Sequence, residues 1–197
     1  MAGPGRTTSR EAKRQQTRER LLGAAIAEFK RAGMAEADVA TIVSAAGVAH
    51  GTFYFHFPTK EYVLLELEVR EQERISKQFI QFAADNDLQS CLAESVRLIK
   101  SLERRLGDAL FKDFLALHFS QTRPPAESED DHPMIGAVAE RIATAQAAGE
   151  VAPEVNPMSS AVFFLLGVYA LLITTNDSTR DALLADALAG TYRSLKA

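Results

Sequence analysis

The chain has 197 residues, 47% apolar and 24% charged, with a single cysteine and no tryptophan. That length and balance suit one or two small domains with a real core, and exclude disordered, collagen-like and disulfide-stapled chains. The net charge of −4 argues against a uniformly basic nucleic-acid binder, but it hides a division: residues 1–60 hold nine basic against five acidic side chains, and the other 137 hold 13 against 21.

Residues 1–9 are small and polar with Gly and Pro, and are expected to be disordered; they lack the apolar stretch of a signal peptide. Helical periodicity begins at about residue 9, with Leu22, Ala25, Ile26 and Phe29 forming one stripe and Gly33 at its end. Asp38 is placed to cap a second helix, to about residue 45, with Val39, Ile42 and Val43 inward. Residues 45–60 read AAGVAHGTFYFHFPTK. Small residues around Gly47 give a tight turn, and residues 49–55 a short helix with polar and aromatic tips. A helix, a glycine turn and a second short helix is how a chain presents a reading helix to DNA. Phe53 and Phe57 are expected in its small core. Thr59 is placed to cap a long helix through Val63, Leu64, Leu67 and Ile75 to about residue 83, with Glu61 and Glu66 in its early turns.

Further helices are expected over 88–106, with Leu92, Val96, Ile99 and Leu102 as the stripe, and over 108–120. Residues 123–133, with three prolines and four acids, form the clearest loop. Helices follow over 134–148, closed by Gly149, then from Pro157 to about residue 175, and to about residue 195 after a turn at 176–178. The apolar run 161–173 is 13 residues long, short of the roughly 20 a bilayer span needs, so a buried helix and no membrane partner are expected. The lone Cys91 cannot form an internal disulfide, so a reducing, cytoplasmic setting is expected. The fold class is all-α, with about nine helices.

Positions 42–61 read IVSAAGVAHGTFYFHFPTKE. This resembles the TetR family of transcriptional regulators, whose pattern is Ile-Ala-x-x-Ala-Gly-Val-Ser-x-Gly-Thr-hydrophobic-Tyr-x-His/Tyr-Phe-x-x-Lys-Glu. The match is strongest between about residues 14 and 65. The resemblance implies a DNA-binding domain over residues 1–60, with a basic arm at 1–18, and a ligand-binding and dimerisation domain over 61–197. It implies a regulator that binds a palindromic operator as a homodimer and is released by a small, lipophilic effector. Alternatives are an activator, or a ligand sensor whose DNA binding is weak or lost.

Thr52, Tyr54, His56 and Lys60 fall on backbone-contact positions by resemblance, and His50, Gly51, Thr52 and Phe55 are candidates for base edges. Thr41, Lys13, Arg14 and Arg18 complete the expected DNA surface. The run Arg6, Arg10, Lys13, Arg14, Arg18 reads either as an arm along a groove or as the solvated start of an ordinary helix. Four positions depart from the family: Ala37, Asp38 and Ala49 stand where hydroxyls are usual, and Phe55 where polar or basic side chains are frequent. Fewer helix-borne phosphate contacts are expected.

The last two helices are candidates for the dimer seam, through Phe164, Val168, Leu171, Leu184, Leu188 and Tyr192. Possible walls of a ligand pocket are Phe79, Phe82, Cys91, Phe111, Phe114, Leu115, His118, Phe119 and Phe163, with Arg104 or Arg105 for an anion. Plain core packing is the competing reading. No nucleophile elbow, phosphate-binding glycine loop or paired His-x-x-x-His is present, so neither catalysis, a cofactor nor a metal is expected. The acidic stretch 127–132 reads as solvated charge rather than a cation chelate.

Overall fold

The computed structural model describes residues 9–120 and 132–196. The helices are α1 (Ser9–Glu36), α2 (Val39–Ala46), α3 (His50–His56), α4 (Lys60–Ala83), α5 (Leu88–Leu106), α6 (Asp108–His118), α7 (Pro133–Ala147), α8 (Pro157–Thr174) and α9 (Asp177–Leu195). Among the described residues there are nine helices and no strand, as the periodicity predicts. Arg6, the expected disorder of the first residues and most of the 123–133 loop lie outside the described residues.

Local chemistry accounts for the boundaries near the N-terminus. Gly33 leaves the helical region (φ 78°, ψ 158°), which bends the end of α1. The freed Met34 N–H donates to Asp113 Oδ2 on α6 at 2.8 Å. Asp38 caps α2 as expected, accepting from the Ala40 and Thr41 amides at 3.1 Å each. Gly47 is left-handed (φ 62°) and donates to the Ser44 carbonyl, which closes α2 and starts the turn. Thr59 occupies the N-cap position of α4, but its side chain makes no capping hydrogen bond.

Leu21, Leu22, Ala25 and Phe29 of α1 pack with Ile42 and Val43 of α2 and with Phe53 and Phe57 around α3. Both phenylalanines are fully buried, as expected. α4 is shared: it packs on α1 and also on α5, α6 and α7. α8 packs between α7 and α9.

Two expectations about α8 need correction. As a helix it spans 18 residues and is long and apolar enough, by composition, to cross a bilayer; the 13-residue run understated it. In this fold Ala161, Phe164, Leu165, Val168, Tyr169 and Leu172 are instead buried in the bundle. Phe164 and Val168, expected at a dimer seam, are therefore core residues, as is Leu184 on α9. The helix period sets this: positions 161, 164, 165, 168 and 172 share one face, and 163, 166, 170 and 173 the other.

Candidate nucleic-acid interface

α3 is about two turns of helix, held by Phe53 and by Phe57 just after it. With Phe53 and Phe57 buried beneath it, His50, Gly51, Tyr54 and Phe55 face outward. Tyr54 is half exposed and Phe55 is 68% exposed. His50 and Tyr54, one turn apart, bring their rings to 5.5 Å. Ala49, at the N-cap, supplies no side-chain hydrogen bond.

The basic start of α1 lies over the other end of α3. The Arg14 guanidinium sits 5.3 Å from the Phe55 ring centroid, and Arg18 lies 4.3 Å over Phe57. Arg10, Lys13 and Arg14 are exposed on the same helix start. One continuous face therefore combines cationic side chains with the tips of the short helix.

Four expected DNA contacts turn out to be engaged internally. Lys60 donates to the carbonyls of Ala35 and Ala37 at 2.8 and 3.0 Å, so its charge ties the α1–α2 loop to the start of α4. Arg18 donates to the His56 carbonyl at 2.5 Å and pairs with Glu66 at 2.5 Å. Thr41 donates its hydroxyl to Asp38 Oδ2 at 3.1 Å. His56 is buried, and its Nδ1 makes no hydrogen bond. Burial, then the charges of Arg18 and Arg14, hold the His56 imidazole below its ordinary pKa. The short carbonyl–guanidinium and lysine–carbonyl contacts have no sequence period, so the chain alone does not reveal them.

Other contacts were missed for the same reason. Arg20 donates to the Ala46 and Gly47 carbonyls and completes the α2 C-terminus. Arg70 bridges Glu19 and Glu66 at 2.6 and 2.5 Å, linking α1 to α4. Lys30 reaches the Arg105 carbonyl at 2.7 Å, and Arg105 pairs with Glu71. With Met34 and Asp113, these give the N-terminal helices a second attachment, to α5 and α6, besides the one through α4.

Most of the expected ligand-pocket walls are buried. Cys91, Phe111, Phe114, Leu115 and His118 are buried in packed core, Phe119 is partly exposed, and Phe163 points outward at 75% exposure. His118 Nδ1 lies 2.6 Å from Glu68 Oε1, both side chains buried. Tyr169 Oη accepts from Gln72 at 3.4 Å, and burial, with the Glu68 charge adding, pushes its pKa up to about 12. Burial also raises the Cys91 thiol. An open cavity of about 560 Å³ lies elsewhere, between the end of α4 and α7, lined by Phe79, Ile80, Asn86, Ala137 and Arg141 among others. Of the expected walls it shares Phe79 alone. Arg104 is exposed and Arg105 is engaged as above. Among the described residues no group of three or more potential metal ligands converges.

Residues 21–67, which contain α2, the turn, α3 and the buried phenylalanines, match the family model described as bacterial regulatory proteins, tetR family. The HTH-type transcriptional regulator UidR of Escherichia coli (strain K12) is 28% identical over 178 residues, 88% of this chain and 90% of that protein. Over this segment the chain is similar to the TetR family of transcriptional regulators. TetR-family structures share its fold beyond the matched segment. CprB from S. coelicolor A3(2) superposes with a TM-score of 0.63 at 23% identity, over 92% of this chain and 90% of that one. The transcriptional regulator FadR from Bacillus subtilis, in complex with stearoyl-CoA, gives 0.66 at 16% identity, over 87% and 98%.

Proposed function

We propose that the chain is a ligand-responsive repressor that binds a palindromic operator as a homodimer through α3 and the start of α1. Residues 1–60 are the DNA-binding domain and 61–197 the effector and dimerisation domain. The observation that carries this reading is the single outward face on which His50, Gly51, Tyr54 and Phe55 stand beside Arg10, Lys13 and Arg14. Basic side chains supply affinity for phosphates, and a short exposed helix supplies base contacts. The helix that crosses between the parts, α4, and the α1–α6 contact carry the effector's influence as a population shift.

The apolar outer face of α8, with Phe163, Leu166 and Ile173, is the proposed seam, joined by Leu183 of α9. A lipophilic effector is supported by the apolar interior of α4–α8 and by the stearoyl-CoA bound to the B. subtilis FadR. The test is selection of bound duplexes from a random pool, followed by a metabolite screen on the complex. A palindrome with two equivalent half-sites is expected.

A second reading, a sensor that no longer uses DNA, rests on Lys60, Arg18, Thr41 and His56 being spent on internal contacts. Failure to enrich any duplex selects it over the first.

A further inference from the structure

α3 and the residue after it carry three phenylalanines put to alternating use. Phe53 and Phe57 are fully buried and complete the core of the three-helix unit, whereas Phe55 between them is 68% exposed. Packing therefore accounts for two rings and leaves the third without a task inside the fold. The Phe55 ring is nevertheless held in place. Arg14 covers it at 5.3 Å from the centroid, and the His56 ring meets it edge-on at 5.2 Å. One turn earlier on the same face stands Gly51, where a Cβ would find nothing within 4 Å. The bare backbone at Gly51 leaves open space beside the held apolar ring.

Resting on the DNA-binding reading above, we propose that Phe55, seated by Arg14, reads the C5-methyl group of a thymine in each operator half-site. The argument is one of chemical complement. Most of what a major groove offers is hydrogen-bond donors and acceptors, which a phenyl ring cannot satisfy; the apolar exception is the thymine methyl. The surrounding cations fix the partner as a polyanion: Arg14 stacks on the ring itself and Arg10 and Lys13 are exposed along the same helix start. Phosphates engage those cations while the ring enters the groove.

The experiment uses the full chain and the operator obtained by selection. Each thymine is replaced in turn by deoxyuridine, which removes the methyl and keeps every hydrogen-bonding group. One position per half-site is expected to weaken wild-type binding roughly fourfold, and both together roughly fifteenfold, the worth of one buried methyl each. Phe55→Ala is expected to bind thymine and deoxyuridine operators equally, and Phe55→Leu to retain part of the discrimination. Phe55 is exposed, so both variants should keep the wild-type melting temperature. An operator at which no thymine is sensitive, or a Phe55→Ala protein that still discriminates, overturns the inference and leaves DNA binding standing. Enrichment of no duplex overturns both.

Discussion

His56 and Gly47 show how single residues shape the proposed DNA-facing surface. His56 is neutral because burial and two neighbouring guanidinium groups disfavour its charged form. An unfolded chain takes up a proton near the ordinary value of 6.5, while the folded one resists until a lower pH. The stability it contributes is thus present above 6.5 and is lost as pH falls below that value. Urea unfolding between pH 7.5 and 5.5 should show a falling midpoint that flattens in His56→Gln. The lowered carboxyls of Glu19, Glu28 and Asp38 act only further down, as the medium approaches their ordinary values near 4. Gly47 is required for a different reason. Its φ of 62° is costly for any residue with a Cβ, and that Cβ would lie 3.0 Å from Arg20 Nη2. Gly47→Ala should cost about 1–2 kcal/mol in urea unfolding; an unchanged midpoint would mean the turn relaxes freely.

At the scale of elements, the joints matter more than the helices. The helices among the described residues, the Asp38 cap, the Gly47 turn and the two buried phenylalanines were legible, because periodicity and capping chemistry are written locally. What Lys60, Arg18 and Thr41 do was not legible. A cation beside a helix end reads equally as a phosphate ligand or as a strut, and the choice depends on which carbonyl the fold brings within 3 Å. Sorting the apolar residues of α8 into seam and core failed likewise, because a helix that is apolar nearly all round gives no direction of its own. The α1–α6 joint was invisible for the same reason: Met34 and Asp113 are far apart in sequence. Asp113→Ala leaves the Met34 amide without its acceptor, so hydrogen exchange over residues 33–37 should accelerate, with a stability loss of about 1–3 kcal/mol. Asp113→Asn, which keeps an acceptor oxygen, should stay protected; equal exchange in both variants would show that the contact carries no weight.

For the whole molecule, the two faces of α8 divide the labour. Phe164 belongs to the interior, and Phe164→Ala should lower stability by about 3–5 kcal/mol. Phe163 lies on the outer face, so Phe163→Glu should leave the unfolding midpoint of the isolated chain intact and abolish self-association in sedimentation. A Phe163→Glu protein that remains dimeric would move the seam away from α8. The charge division has its own molecular logic, since a basic end on an acidic body orients the molecule as it approaches a duplex.

The bare outer stripe of α8 also sets how the regulator would respond to its own abundance. If half-sites are engaged in pairs and the pair is assembled across Phe163, Leu166 and Ile173, then in dilute cells occupancy grows as the square of the number of chains. Halving synthesis would cut occupancy about fourfold in that regime, and would change little once the stripe is saturated. On that reading, a few exposed apolar side chains on one helix would decide whether a promoter reads protein level as a graded signal or as a threshold.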